Sequence, residues 1–355
     1  QTAATEAQER AEVAVQRDPR LVQGHLELAR SLELQGNIDD AIAALDAGLQ
    51  QPLLQFDTNL IAEKARIYFD QDDYEEADRQ AYLILYADPS VEIAHRIQVD
   101  VALLEDDAGL AVLRAQAYLF YYPGRASAWR LLGEARLREG NYDLAVDAFS
   151  QALMVEQDTT TTLLALQGRA QAFSALGRYA LAETDLTSAL EIAPDDALQA
   201  ERMVAAYRAG LLATAQTDAI ALATSADAPT GLAALIRGRV LVDEAQAAGD
   251  AAGEEAIGQL ETARAGANAE TLGVIDEYIA RAHFLNGDRE AALESVDAAL
   301  SRGETADRYY LLGLILEERG QEEDAARAFD WVVAWSAVYP VRFAADAAER
   351  LEALR

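Results

Sequence analysis

The sequence predicts an all-α protein built from antiparallel helix pairs stacked one on the next. Three observations predict it. Apolar residues recur at intervals of three and four along nearly the whole chain, the spacing that puts side chains on one helical face. The periodic runs come in pairs, parted by short signals such as Gly36-Asn37, Gly140-Asn141, Gly177-Arg178, Gly287-Asp288 and Gly320-Gln321. Glycine supplies the positive φ with which a helix stops and turns. The seven prolines, at 19, 52, 89, 123, 194, 229 and 340, are separated by 33, 37, 34, 71, 35 and 111 residues. A unit of about 34 residues divides those steps into one, one, one, two, one and three repeats. Proline sits well just past a helix end, where the chain turns back.

Taken in order, residues 4–18 predict a lone helix of the kind that comes second in a pair, with Ala7, Ala11, Ala14 and Val15 on one face. A full pair follows, carrying His25, Leu28, Ala29 and Leu32, then Ala41, Leu45 and Leu49 after the glycine turn. The next spans 58–90, with Ala65, Tyr68, Asp73-Tyr74, Ala77 and Leu85. The pair over 91–125 is degenerate: Val99 stands where a small residue is expected and Asp106-Asp107 where the glycine turn is expected. The clearest pair runs from Ala126 to Glu156. Its first helix carries Trp129, Leu132, Gly133, Ala135 and Leu137; its second carries Leu144, Ala145, Ala148, Phe149, Ala152 and Leu153. Gly133 and Ala145 are small where helices approach closely, and Phe149 is large where the gap must be filled. Thr159 to Thr162 predict a short polar insertion ending in a helix N-cap. Pairs follow over 163–196, 197–230, 231–268, 273–305 and 306–339, the third of them lengthened by an extended turn near 243–256. Residues 341–355 predict one closing helix, with Phe343, Ala347, Leu351 and Leu354 inward.

The segment 126–156 resembles the tetratricopeptide repeat, whose Trp-Leu-Gly, Gly-Asn-Tyr, Ala, Phe, Ala pattern it matches nearly in full. The likeness extends over essentially the whole chain, close at 126–156, 163–194 and 306–333 and loose at 91–125, 197–230 and 231–268. It implies a right-handed superhelical solenoid: a half repeat at 1–21, about nine repeats over 22–339, and the closing helix at 341–355. It also implies a non-enzymatic scaffold that holds a protein or peptide in a concave groove lined by the first helix of each pair.

Charge narrows the partners. The 355 residues carry 61 Asp and Glu against 29 Lys and Arg, a net charge of −32, with Lys64 the one lysine. Phosphate neutralisation needs basic stripes that are absent, so nucleic acid is not an expected partner. An anionic membrane surface would repel the chain, and no apolar run is long enough to insert. With no cysteine, disulfides, thiol catalysis and cysteine zinc sites are excluded together. The absence of cysteine and the start at Gln1 favour an exported location over a cytoplasmic one.

No residue set has the spacing of a catalytic centre or a phosphate loop, and no cofactor or metal is expected. His25 and His95 fall near the start of first helices, where a large packing residue is expected. The acidic clusters Asp70-Gln71-Asp72-Asp73 and Asp106-Asp107 read as turn caps, since they lack the glycine and distal glutamate of a calcium loop. Tyr118, Phe120, Tyr121 and Tyr122 form one aromatic group, and Trp331, Trp335 and Tyr339 another at i, i+4 and i+8. Arg30, Arg66, Arg96 and Arg130 all lie on first helices. They form either a basic ladder that grips a carboxylate-bearing peptide bidentately or internal pairs with neighbouring glutamates. The phase of the array raises a second possibility. An opening second-type helix and a closing first-type helix are complementary, so copies could stack head to tail into a filament or ring. Ala7, Ala11 and Val15 would then meet Phe343, Ala347 and Leu351 of another copy.

Overall fold

A computed structural model describes residues 2–155, 158–225 and 230–355, and these form twenty helices with no strand among them. The helices gather into two compact units, residues 1–177 and 178–355. In the first unit, α1 (Thr2–Arg17) precedes the pairs α2/α3 (Val22–Glu33, Ile38–Leu49), α4/α5 (Thr58–Asp70, Tyr74–Ala87), α6/α7 (Glu92–Leu104, Ala108–Tyr121) and α8/α9 (Ala126–Arg138, Tyr142–Met154), and α10 (Thr159–Ala175) ends it. The second unit opens on α11 (Tyr179–Ile192). It continues with α12/α13 (Asp196–Arg208, Leu212–Leu222), α14/α15 (Thr230–Ala248, Gly253–Ala263), α16/α17 (Ala269–Leu285, Arg289–Arg302) and α18/α19 (Ala306–Glu318, Glu322–Ser336), and closes on α20 (Ala344–Ala353).

Seven of the eight pairs are joined by one recurring turn. The amides of Asn37, Asp73, Asp107, Asn141, Leu211, Asp288 and Gln321 each donate to the carbonyl five residues back, the long bond of a Schellman stop. The residue before each donor takes a positive φ. It is glycine at 36, 140, 210, 287 and 320, but Asp72 and Asp106 adopt φ of 60° and 58° without that freedom. Asp73 and Asp107 then cap the next helix, accepting from the amides of Glu76 and Leu110.

In most of the cores, positions sixteen residues apart complement each other in size. Ala29 shares a core cluster with Leu45 and Ala280 with Val296, while Gly133 lies directly against the Phe149 ring and Gly313 against that of Phe329. Where the first position grows, the second shrinks: Val99 goes with Ala115, and Met203 with Ala219. The exchange keeps the volume of these couples similar, so Val99 is accommodated in the degenerate pair over 91–125; Ala65 and Ala81, small at both positions, do not follow it.

Prolines tie one pair to the next. The ring nitrogen of Trp129 donates to the Pro123 carbonyl at 2.9 Å. His95 Nε2 lies 2.8 Å from the Pro89 carbonyl, and His25 Nε2 2.9 Å from that of Pro19. Each partner is six residues back, so buried His25 and His95 occupy the place of the tryptophan.

Within each unit the first helices also pack on one another: α2 on α4, α4 on α6, α6 on α8 and α8 on α10; then α12 on α14, α14 on α16 and α16 on α18. Second helices have no packing of that extent, so in each unit the first helices line the inner face. Two expectations change. Thr159 to Thr162 are the first turn of α10, capped by Asp158, rather than an insertion before it. The segment near 243–256 does not extend the turn: the good helix formers through Ala248 lengthen α14 instead, and the turn is confined to 249–252. Glu156 and Pro229 lie outside the described residues.

Candidate functional site: the inner face of residues 178–355

The arginine ladder of the first unit is largely occupied by its own chain. Arg30 is bidentate to Glu63, at 3.0 and 3.2 Å. Arg66 reaches Glu33 at 2.5 Å, Glu63 at 3.0 Å and Asp70 at 2.5 Å. Burial would raise the Glu63 carboxyl, but the two guanidiniums outweigh it and hold it below the usual range. Arg130 pairs with Glu134 at 2.8 Å. Arg96 has no carboxylate within ion-pair distance among the described residues; it lines a cavity of about 480 Å³ beside the Glu92–Arg125 pair. Arg96 and Arg130 flank Asp100, whose carboxyl burial pushes up to about 6 against their opposing pull.

The residues expected to join copies are also committed within the chain. Ala11 is buried under α2, and Val15 packs against Gly24, where a Cβ would come within 3.1 Å of it. Ala347 and Leu351 are buried with Phe329 and Val332, and the Phe343 ring stacks on Tyr310 at 4.4 Å. Ala7 stays exposed. Apolar side chains near a terminus first satisfy the nearest helix of their own chain, which buries Ala11, Ala347 and Leu351 and leaves Val15 and Phe343 half-buried. The stack Tyr309–Trp331–Trp335–Tyr339 runs along α19, with Trp335 and Tyr339 about half exposed.

The second unit's inner face holds a different arrangement. A cavity of about 820 Å³ opens between α12, α14, α16 and the start of α18. The Arg239 guanidinium lies between two tyrosine rings, 4.5 Å from the Tyr207 centroid and 4.8 Å from that of Tyr278. The Tyr207 hydroxyl donates to Asp243 at 2.5 Å and lies 3.0 Å from the Tyr278 hydroxyl. Burial, first, then the neighbouring Tyr278 and Asp243 push the Tyr207 hydroxyl up, so it remains a neutral donor. Arg281 stacks on the other side of this cluster, 5.0 Å from the Tyr278 centroid, and is held by Glu277 at 2.7 Å. Arg208 lies 5.3 Å from the Tyr179 centroid.

Pairing separates these cations from one another. Arg281 is neutralised, whereas Arg208, Arg239 and Arg342 have no carboxylate within ion-pair distance among the described residues. The Arg239 Nε is buried with no acceptor at all. Four arginines face three carboxylates around this cavity, a local excess of positive charge in a chain of net −32. Beside it, sharing Gln246, Arg281 and Asp307 as walls, is a socket of about 150 Å³ formed by Phe284, Leu285, Tyr310, Leu311, Leu314 and Phe343.

None of Arg239, Tyr207 and Tyr278 stands out in the sequence. Their one signal is spacing: each lies about one repeat from the next, which places all three on neighbouring first helices.

Comparison with known proteins adds the following. A family model of the tetratricopeptide repeat matches residues 164–196. No curated protein matches the chain. A solved tetratricopeptide repeat protein from Parabacteroides merdae is similar at 20% identity over 73% of this chain and 98% of that one, with a TM-score of 0.49. A chain of the APC/C hetero-tetramer Cut9-Hcn1 is similar at 14% identity and TM-score 0.49; the match covers 93% of this chain but 63% of that one. The tetratricopeptide domain of P58(IPK) is similar at 14% identity and TM-score 0.42, over 99% and 93% of the two chains.

Proposed function

We propose that this chain, a multi-repeat array of tetratricopeptide type, is an interaction scaffold that holds a segment of a partner protein against the inner face of residues 178–355. The observation that carries the reading is Arg239. A guanidinium with a buried, unpaired Nε is costly in a folded protein. Two tyrosine faces offset part of that cost, since each attracts the cation. What is missing is an anion, and the cavity in front of it has room for one. The same groove supports binding rather than turnover. Burial pushes the Tyr207 hydroxyl toward the neutral form, and Asp243 accepts its hydrogen bond.

Random peptides displayed on phage and selected on the full-length chain test this. Enriched peptides are expected to bind the parent and to lose binding to an Arg239→Gln chain, while the variant's thermal midpoint stays level or rises because an unpaired cation has gone. Enriched peptides that bind the variant as well as the parent would overturn the assignment of the site, as would a selection in which no peptide is enriched.

A further inference from the structure

We infer that the segment held there is acidic and carries a large apolar residue close to its acidic one: one Asp or Glu side chain on Arg239, and one Leu-, Met- or Phe-sized group in the adjoining socket. This rests on the binding role proposed above and specifies its ligand.

The charge half follows from which cations are left over. Arg208 comes from α12, Arg239 from α14 and Arg342 from the turn before α20, so the unpaired positive charges are spread along the groove rather than gathered at one point. A single chain-terminal carboxylate could satisfy one of them. A run of acidic side chains can satisfy several, and an arginine fork matches each carboxylate with two parallel hydrogen bonds. The net charge of the chain opposes an acidic partner only at a distance. Salt screens interactions beyond about 8 Å at physiological ionic strength, and direct pairs in a half-buried groove are screened much less.

The apolar half follows from the socket. Six of its nine walls are aromatic or aliphatic, and its 150 Å³ suits one large apolar side chain rather than a backbone. Tyr310 and Phe343, stacked at 4.4 Å, form a rigid wall, with the Tyr310 hydroxyl fixed on Asp346 at 2.5 Å. Arg281, bound by Glu277, lies on the rim shared by socket and cavity. A ligand filling both sites must therefore carry its two groups within a few residues of each other.

The test uses synthetic peptides of about nine residues, C-terminally amidated, with one Glu and one Leu at every spacing from adjacent to five apart. Matched peptides replace Glu by Gln, or Leu by Ala; a further set has a free C-terminal carboxylate and no acidic side chain. Affinities for the full chain are read by fluorescence anisotropy. At the best spacing, each replacement is expected to weaken binding about tenfold. The Glu-to-Gln effect should vanish in the Arg239→Gln chain, and the Leu-to-Ala effect should vanish in a Leu314→Trp chain, whose socket is filled. Because the peptide replacements are made on the parent protein, they report even if the Leu314 variant folds poorly. Peptides that bind through Arg239 but tolerate Gln and Ala would overturn this ligand class and leave the binding role standing. Tight binding by the free-carboxylate set alone would assign the anion to a chain terminus and overturn it equally. Peptide binding indifferent to Arg239 would remove both readings.

Discussion

The Phe149 ring sits between two glycines, and substituting either gives a sharp test of how the first unit is packed. Phe149, 2% exposed on α9, faces Gly133 of α8 and Gly168 of α10. A Cβ at Gly168 would lie 2.2 Å from the ring Cζ, and one at Gly133 2.7 Å from Cδ1. Carbon atoms settle at roughly 3.5 Å, so Gly168→Ala demands that the ring or α10 retreat by more than about 1 Å. Overpacking of that kind costs about 1–3 kcal/mol, and the better helix propensity of alanine returns about 1. Gly168→Ala should therefore lose up to about 2 kcal/mol, and Gly133→Ala less. Gly258 is the internal control: it lies within α15 with nothing near its absent Cβ, so Gly258→Ala should gain about 0.5–1 kcal/mol. Guanidinium unfolding followed by circular dichroism measures all three. Adding Phe149→Leu to Gly168→Ala should recover at least about 1 kcal/mol relative to the sum of the single changes, the signature of a shared contact. A Gly168→Ala chain that gains stability as the Gly258 variant does would refute the wedge.

Two further predictions concern the turns and the inner face of the first unit. Asp106 holds φ of 58° where most of the equivalent turns use glycine, and its 3.7 Å pair with Arg138 is too exposed to matter. Asp106→Gly should stabilise by about 0.5 kcal/mol, the relief of left-handed strain less the added freedom of the unfolded chain; denaturant midpoints with an unchanged slope would check this. Asp100, raised by burial to about 6 against a usual 3.8, binds its proton more tightly folded than unfolded. It thus favours the fold below about pH 4, and that contribution is lost as pH rises to about 6. Asp100→Asn should match the parent near pH 4 and exceed it by about 1–3 kcal/mol at pH 8. Parallel unfolding curves at the two pH values measure the difference, and an equal gap at both would refute it.

Most of the fold is legible because its determinants are local. A glycine seven residues after a small or apolar core position, a proline six before a ring, and a core partner sixteen further on are all spacings within one repeat. Val99 looks like a defect when read alone; Ala115 shows it to be half of an exchange. The reading fails where composition is ambiguous. Ala-rich sequence through Ala248 suits either a helix or a loop, and only the positive φ of Gly249 marks where α14 ends. The terminal faces were legible as apolar, but what they pack against depends on the chain's own neighbouring helices.

The groove was illegible for a different reason: nothing local distinguishes Arg239 from Arg66. Both lie on first helices, and each reaches toward residues about one repeat away on the helices either side. In the first unit those positions are acidic. Glu63 lies 33 residues from Arg30 and Glu33 lies 33 residues from Arg66, so neighbouring inner helices exchange charges and close the ladder. The second unit uses the same device at Arg308 with Glu277 and at Arg350 with Glu317. Around Arg239 the residues one repeat away are Tyr207 and Tyr278. Tyrosines attract a cation without neutralising it, so the spacing that makes an internal ion pair elsewhere leaves Arg239 without a carboxylate among the described residues, which is the charge the proposed ligand would supply. On the function proposed above, the array acquires its binding site without departing from its repeat, by placing aromatic residues where other rungs place carboxylates.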